Sequence, residues 1–150
     1  MKPIEIAISG HIRKPSDEIC AEFLKLERWS EFKGYLFLPG IRNAEIVRQT
    51  PGIVGTRIKV HNSDGSTHTE EIIEWDVERR IALRFGNFQP PLENLATHFI
   101  ETWHFKRAGD GTDVTRTMAM YPKSFWARLM LGPISLLMKK SLERNVKQLS

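Results

Sequence analysis

Three charged residues, Glu71, Glu101 and Arg116, interrupt stretches whose apolar residues recur at every second position. A two-residue hairpin turn at Asp64-Gly65 sets Val60 opposite Thr69, Lys59 opposite Glu70 and Ile58 opposite Glu71. Ile58, Val60, Glu71, Ile73 and Trp75 then share one face, and the apolar members turn that face inward. By the same alternation Phe99, Glu101, Trp103 and Phe105 lie together, joined across a turn at Asp110-Gly111 by Val114, Arg116, Met118 and Met120. A carboxylate in apolar surroundings must pair, give up its charge or be hydrated. Either glutamate can therefore pair with Arg116, meet a ligand hydroxyl or carbonyl, or exchange a proton. The same letters also fit a wet rim, or solvent if the register slips by one residue.

Other chemistry has less support. His11, His61, His68, His98 and His104 have no helical ligand spacing and no cysteine partners, so no metal site is expected. His98 and His104 alternate with Trp103 onto the outer face, and His61 and His68 read as a cross-strand pair. The lone cysteine, Cys20, sits in an apolar helical pattern and reads as packing. There is no glycine-rich phosphate loop, no G-x-S-x-G elbow and no adjacent nucleophile and base, so neither a catalytic residue nor a cofactor is assigned.

These side chains need a sheet to hold them. "IEIAISGHI" alternates as a strand, and "KPSDEICAEFLKLERWSEF" then changes to helical period, with Pro15 in a first turn and Asp17 and Glu18 at the positive helix end. Six further strands follow in "AEIVRQ", "GTRIKVHN", "THTEEIIEWDV", "IALRFGN", "LATHFIETWHFKR" and "DVTRTMAMY". The last helix starts after Pro122, capped by Ser124. Phe125, Leu129, Leu137, Leu142, Val146 and Leu149 form its inward stripe. Trp126, Met130, Leu131, Ile134 and Met138 widen the apolar arc in its first half, where Gly132-Pro133 predicts a kink.

The 150 residues read as one domain, residues 1–150, without repeat or linker. Apolar residues are 41% and charged residues 27%, and no run reaches the ~20 apolar residues of a membrane span, which predicts a soluble protein. The start, "MKPIEIAISG", lacks a secretory pattern, so the cytoplasm is the expected location. Residues 1–122 carry a net charge of −1 and residues 123–150 a net +5. That distribution excludes a basic groove built across the fold for nucleic acid. It leaves Lys139, Lys140, Arg144 and Lys147 either as a solvated helix end or as a transient contact with an anionic membrane surface.

The order of elements is that of the helix-grip fold. "GTRIKVHNSDGSTHTEEIIEWDVERRIALRF" and "HFKRAGDGTDVTRTMAMYP" resemble the START-like (SRPBCC) superfamily, in its polyketide cyclase/dehydrase and lipid-transport branch. Its habits recur in order at Gly55-Thr56, Glu74-Trp75-Asp76, Arg79-Arg80 and "GDGT", and "LERWSEF" resembles its short second helix. The connection "KGYLFLPGIRN" is longer than in typical members. The resemblance implies an α+β fold, a curved seven-stranded antiparallel sheet wrapped around a long C-terminal helix, with two short helices after the first strand.

It also implies a cavity between sheet and helix that holds a hydrophobic or amphipathic small molecule, for carriage or, in the alternative, for cyclase, dehydratase or hydrolase chemistry. The residues expected to line it are Ile58, Val60, Glu71, Ile73, Trp75, Phe85, Phe99, Glu101, Trp103, Arg116, Met118, Met120, Trp126, Met130 and Leu137. Gly132-Pro133 and the loop "NFQPPLENL" are the candidate gates, and a monomer or homodimer is expected.

Overall fold

The computed structural model describes residues 1–149. Strand β1 (Ile4–Ile12) leads into helix α1 (Ser16–Phe23) and a short 3-10 helix (Leu26–Glu31). Strands β2 (Ile41–Arg48), β3 (Arg57–Asn62), β4 (Thr67–Asp76) and β5 (Arg80–Gly86) follow. A 3-10 turn (Leu92–Asn94) precedes β6 (Ala96–Ala108) and β7 (Gly111–Pro122), and helix α2 (Phe125–Leu149) closes the chain. The seven strands form one antiparallel sheet in the order β1-β7-β6-β5-β4-β3-β2. This is the expected helix-grip arrangement, with the first strand closing against the last. No helix among the described residues is long and apolar enough to cross a membrane.

The β6-β7 hairpin keeps the inner face read from the sequence, with Phe99, Glu101, Trp103 and Phe105 opposite Met120, Met118, Arg116 and Val114. The turn itself is centred one residue earlier. Gly109 takes the positive φ of +57°, while Gly111 is already paired with Ala108.

The β3-β4 register differs by one residue. Asn62 and Ser66 close a three-residue loop, Asn62 N–H donating to the Ser66 carbonyl at 2.8 Å, and Gly65 takes the left-handed conformation at φ +90°. The extra loop residue moves Ile58 opposite Glu70 and Val60 opposite His68. Because side chains alternate with period two, β4 is turned over. Glu70 and Ile72 face inward and are buried, Glu71 faces out with Arg57 Nε donating to its Oε1 at 2.8 Å, and Ile73 is exposed. The expected inward placement of Glu71 and Ile73 is thus corrected, as is the His61–His68 pair, since His61 faces Thr67. A bulge between Ile72↔Leu83 and Glu74↔Ala82 then spends Ile73 as the unpaired residue and returns Trp75 to the inner face, opposite Ile81.

Helix α2 runs continuously through Gly132-Pro133. Leu129 and Pro133 both lie on its exposed side, where water can replace the N–H that proline lacks. The buried stripe is Ala127, Leu131, Ser135, Met138, Leu142 and Val146, at helical spacing, with Ile134 half-buried beside it. Phe125 and Leu129, expected inward, are exposed. Near its C-terminal end the helix lies close on β1: a Cβ on Gly10 would stand 2.4 Å from Val146 Cγ1.

The core falls into three clusters: α2 against Phe99, Met118 and Met120; Ile12, Cys20, Trp103 and Val114 under α1; and Trp29 with Ile58, Val60, Ile72 and Leu83. Phe23 joins the second and third, its ring lying 5.2 Å from Trp29, 6.0 Å from Trp75 and 5.9 Å from Trp103.

Candidate functional site

The concave sheet face and α2 do not meet along their whole length, and a cavity of about 470 Å³ lies between them. Phe85, Phe99, Glu101, Trp103, Arg116 and Met118 form its floor, and Ile134, Leu137, Met138 and Leu142 its roof. Trp29, Phe32 and Leu38 close one side, and Phe88, Leu92 and Leu95 from the β5-β6 connection close another. A cavity of roughly 300–1,000 Å³ with apolar walls and few polar groups is the usual form of a small-molecule site.

Seven of the residues expected from sequence stand in this wall: Phe85, Phe99, Glu101, Trp103, Arg116, Met118 and Leu137. Ile58, Val60 and Met120 are buried beside it as solid core, and Trp75 packs with Phe23. Glu71 and Ile73 lie on the other face of the sheet. Trp126 and Met130 are on the outer side of α2, 75% and 62% exposed. They are not part of the cavity.

Two polar groups built on buried side chains break the apolar wall, apart from the more exposed Lys14, Glu22, Arg28 and Glu31. In the first, Arg116 Nη2 donates to Glu101 Oε2 at 2.7 Å, both side chains being about nineteen-twentieths buried, and Arg116 Nη1 donates to Asn145 Oδ1 of α2 at 2.7 Å. The guanidinium carbon lies 4.2 Å from the centre of the Trp103 ring. The pair neutralises two charges that the cavity could not otherwise hold. Arg116 Nε and Trp103 Nε1 are buried and have no hydrogen-bond partner among the described residues.

The second group begins at the surface loop. Ser66 donates its hydroxyl to Asp64 Oδ1 at 2.6 Å and its backbone N–H to the same oxygen at 2.9 Å. Asn62 Nδ2 lies 3.1 Å from Ser66 Oγ and 3.1 Å from His68 Nδ1, and His68 Nε2 lies 2.8 Å from Glu70 Oε2. The His68 ring stacks on Phe85 with centroids 5.4 Å apart. Asn62, His68 and Glu70 all contribute to the cavity wall. Burial pushes the Glu70 carboxyl above the usual range; the His68 hydrogen bond opposes that, the charge of Glu101 adds to it and Arg116 subtracts. At Asp64 partial burial is outweighed by the two Ser66 hydrogen bonds, which hold the carboxyl low.

Asn62, His68, Glu70 and Asn145 were missed from sequence. His68 and Glu70 depend on the loop length between β3 and β4, which "NSDGS" leaves open between a two-residue turn and a three-residue one with a left-handed glycine; Asn62 was legible from its alternation with Ile58 and Val60. Asn145 was legible in principle as a polar residue between Leu142 and Leu149 of the helix stripe.

A family model for polyketide cyclase / dehydrase and lipid transport matches residues 5–150. Among solved structures, the protein TTHA0849 from Thermus thermophilus is similar with a TM-score of 0.72 at 20% identity, covering 97% of this chain and 94% of that one. Ginseng major latex-like protein 151 from Panax ginseng aligns with a TM-score of 0.64 at 15% identity over 97% of this chain and 98% of its own. Protein CV1439 from Chromobacterium violaceum aligns with a TM-score of 0.62 at 14% identity, covering 97% and 96%. These likenesses show a shared fold. No curated protein matches the chain.

Proposed function

The chain belongs to the polyketide cyclase / dehydrase and lipid transport family, and from that premise we propose that it binds a hydrophobic or amphipathic small molecule between its sheet and α2. The observation that carries this reading is the cavity of about 470 Å³, with aromatic, methionine and leucine walls and two buried polar groups at separate places on its surface. Burial of apolar ligand surface drives binding, at about 25 cal/mol per Å² before the costs of association. The polar groups orient one end of the ligand. Native mass spectrometry of freshly purified protein tests the reading. A retained small molecule, or uptake of one from a lipid extract, supports it; a clean mass with no uptake, together with no response of the tryptophan fluorescence to long-chain amphiphiles, refutes it.

The carriage part of the proposal rests on the outside of α2. Phe125, Trp126, Leu129, Met130 and Leu136 form an apolar face, each more than half exposed. Lys123, Arg128, Lys139 and Lys140 surround it, and no acidic residue occurs from 123 to 142. Ile134 and Leu137, on the same helix, line the cavity. An apolar helix face flanked by cations matches an anionic bilayer surface, where each cation adds ~1 kcal/mol. The protein should float with phosphatidylglycerol-containing vesicles and not with pure phosphatidylcholine, and Trp126→Ser/Met130→Ser should abolish flotation. Equal binding to both vesicle types overturns the membrane contact, as does a solution dimer that Trp126→Ser dissolves.

A further inference from the structure

The hydrogen-bond chain from Asp64 to Glu70 determines where its protons sit. Asp64, held ionised, takes the single hydroxyl proton of Ser66 at 2.6 Å. Ser66 Oγ can then only accept from Asn62, which places the amide nitrogen, not the amide oxygen, at both 3.1 Å contacts. The second N–H of that nitrogen points at His68 Nδ1, so Nδ1 offers a lone pair and the ring's one proton is on Nε2. Nε2–H donates to Glu70 Oε2 at 2.8 Å. A doubly protonated His68 would set N–H against N–H at the Asn62 contact. The carboxyl of Glu70 therefore has a neutral donor beside it and no cation of its own, since Arg116, the nearest guanidinium of the cavity, is committed to Glu101 and Asn145.

The other oxygen, Oε1, has no protein partner among the described residues, and Glu70 contributes to the cavity wall. We propose that Glu70 is the ligand-facing hydrogen-bond donor of the cavity, giving its carboxyl proton to an uncharged acceptor oxygen, a ketone or ester carbonyl, at the polar end of the ligand. An anionic ligand head would instead meet Glu70 and Glu101 together, with their only full positive charge already paired. At the Glu70 end the cavity thus selects neutral oxygen-bearing amphiphiles over carboxylates of the same chain length; the other lining cations, Lys14 and Arg28, stand on the β1-α1 connection and the short 3-10 helix, and Arg28 is paired with Glu22 and Glu31. The titratable and charged groups that face Glu70 are His68 on its own strand, Glu101 on β6 and Arg116 on β7. Burial raises the affinity of this carboxyl for its proton, which supports the assignment.

This inference rests on the binding reading above, and the test separates the two. Methyl undecyl ketone, dodecane and dodecanoate are titrated into wild type, Glu70→Gln and Glu70→Leu by calorimetry across pH. Wild type should prefer the ketone over dodecane by roughly fivefold, the worth of one net hydrogen bond, and the preference should fall as pH rises. Glu70→Gln keeps an N–H donor and should hold the preference without pH dependence. Glu70→Leu should bind dodecane and ketone alike. A ketone preference that survives in Glu70→Leu, or dodecanoate binding as tightly as the ketone in wild type, overturns the proposal. Binding of none of the three overturns the cavity reading itself, and this inference with it. An infrared difference spectrum of wild type minus Glu70→Gln, which needs no ligand, should show a protonated carboxyl band at neutral pH; a carboxylate band alone refutes the assignment.

Discussion

Replacing Arg116 by Met tests whether the floor of the cavity is held by a charge pair or merely contains one. Glu101 is 4% exposed and its partner is the guanidinium 2.7 Å away, so the substitution leaves a carboxylate buried with no cation. Asn145 loses its donor and Trp103 its stacked cation in the same step. Breaking one side of a buried pair costs about 3–5 kcal/mol. At about 2–4 °C per kcal/mol for a chain of this size, Tm should fall by roughly 10 °C. The double variant Glu101→Leu/Arg116→Met removes both charges and keeps comparable volume, and should recover most of the loss, because isosteric replacement of a buried pair is often neutral or stabilising. Urea unfolding of the four proteins in the cycle gives the coupling directly. A single-variant cost below about 1 kcal/mol, or a double variant no more stable than the single, would show that water or rearrangement supports Glu101 and that the pair does not organise the floor.

Three further outcomes follow from the same coordinates. Glu70 has its folded-state pKa raised by burial, so it binds its proton more tightly folded than unfolded; its stabilising contribution is complete below the unfolded carboxyl value of ~4.3 and is lost as pH rises through the folded value. Relative to Glu70→Gln, wild type should therefore lose unfolding free energy as pH rises above ~4.3, and a flat difference by urea titration contradicts this. Gly10→Ala should cost roughly 1–3 kcal/mol, because its methyl would stand 2.4 Å from Val146 Cγ1, and adding Val146→Ala should return part of it; strict additivity in the double variant would refute the contact. Burial pushes the Cys20 thiol up to about 12, so it should resist a disulfide reagent at about pH 8 in the folded protein and react once urea unfolds it; rapid labelling of native protein would disprove its burial.

The arrangement of the sheet followed from the resemblance to the helix-grip fold, whereas the long helix and the β6-β7 face were legible because each depends on periodicity over ten or more residues, where a local error averages out. Glu101, Trp103, Arg116 and Met118 were found together for that reason. What failed depended on a single residue or on a face of nearly uniform hydrophobicity. In α2, ten of the 14 residues from 125 to 138 are apolar, so the pattern does not say which side turns inward. In the structure Ala127, Leu131, Ser135, Met138, Leu142 and Val146 turn inward, while Phe125, Trp126 and Leu129 are left outside.

The two irregularities of β4 have opposite effects, and their order along the strand divides its labour. The three-residue loop at Ser63–Gly65 turns the strand over at its start, which brings His68, Glu70 and Ile72 inward. The bulge at Ile73 turns it over again, so that Trp75, not Glu74, meets Ile81 and the aromatic cluster around Phe23. With neither irregularity the inner face would read Thr69, Glu71, Ile73 and Trp75, a strand that ends in core but carries no His68-Glu70 contact. With the loop alone Glu74 would be driven in beside Ile81, without a partner for its charge. Both together give a strand whose first half supplies a proton-bearing carboxyl to the cavity and whose second half is ordinary core. The sequence reading placed Trp75 correctly from a register that was wrong at Glu71 because the bulge cancels the slip, and the inner residues between loop and bulge are therefore where it misidentified the acid.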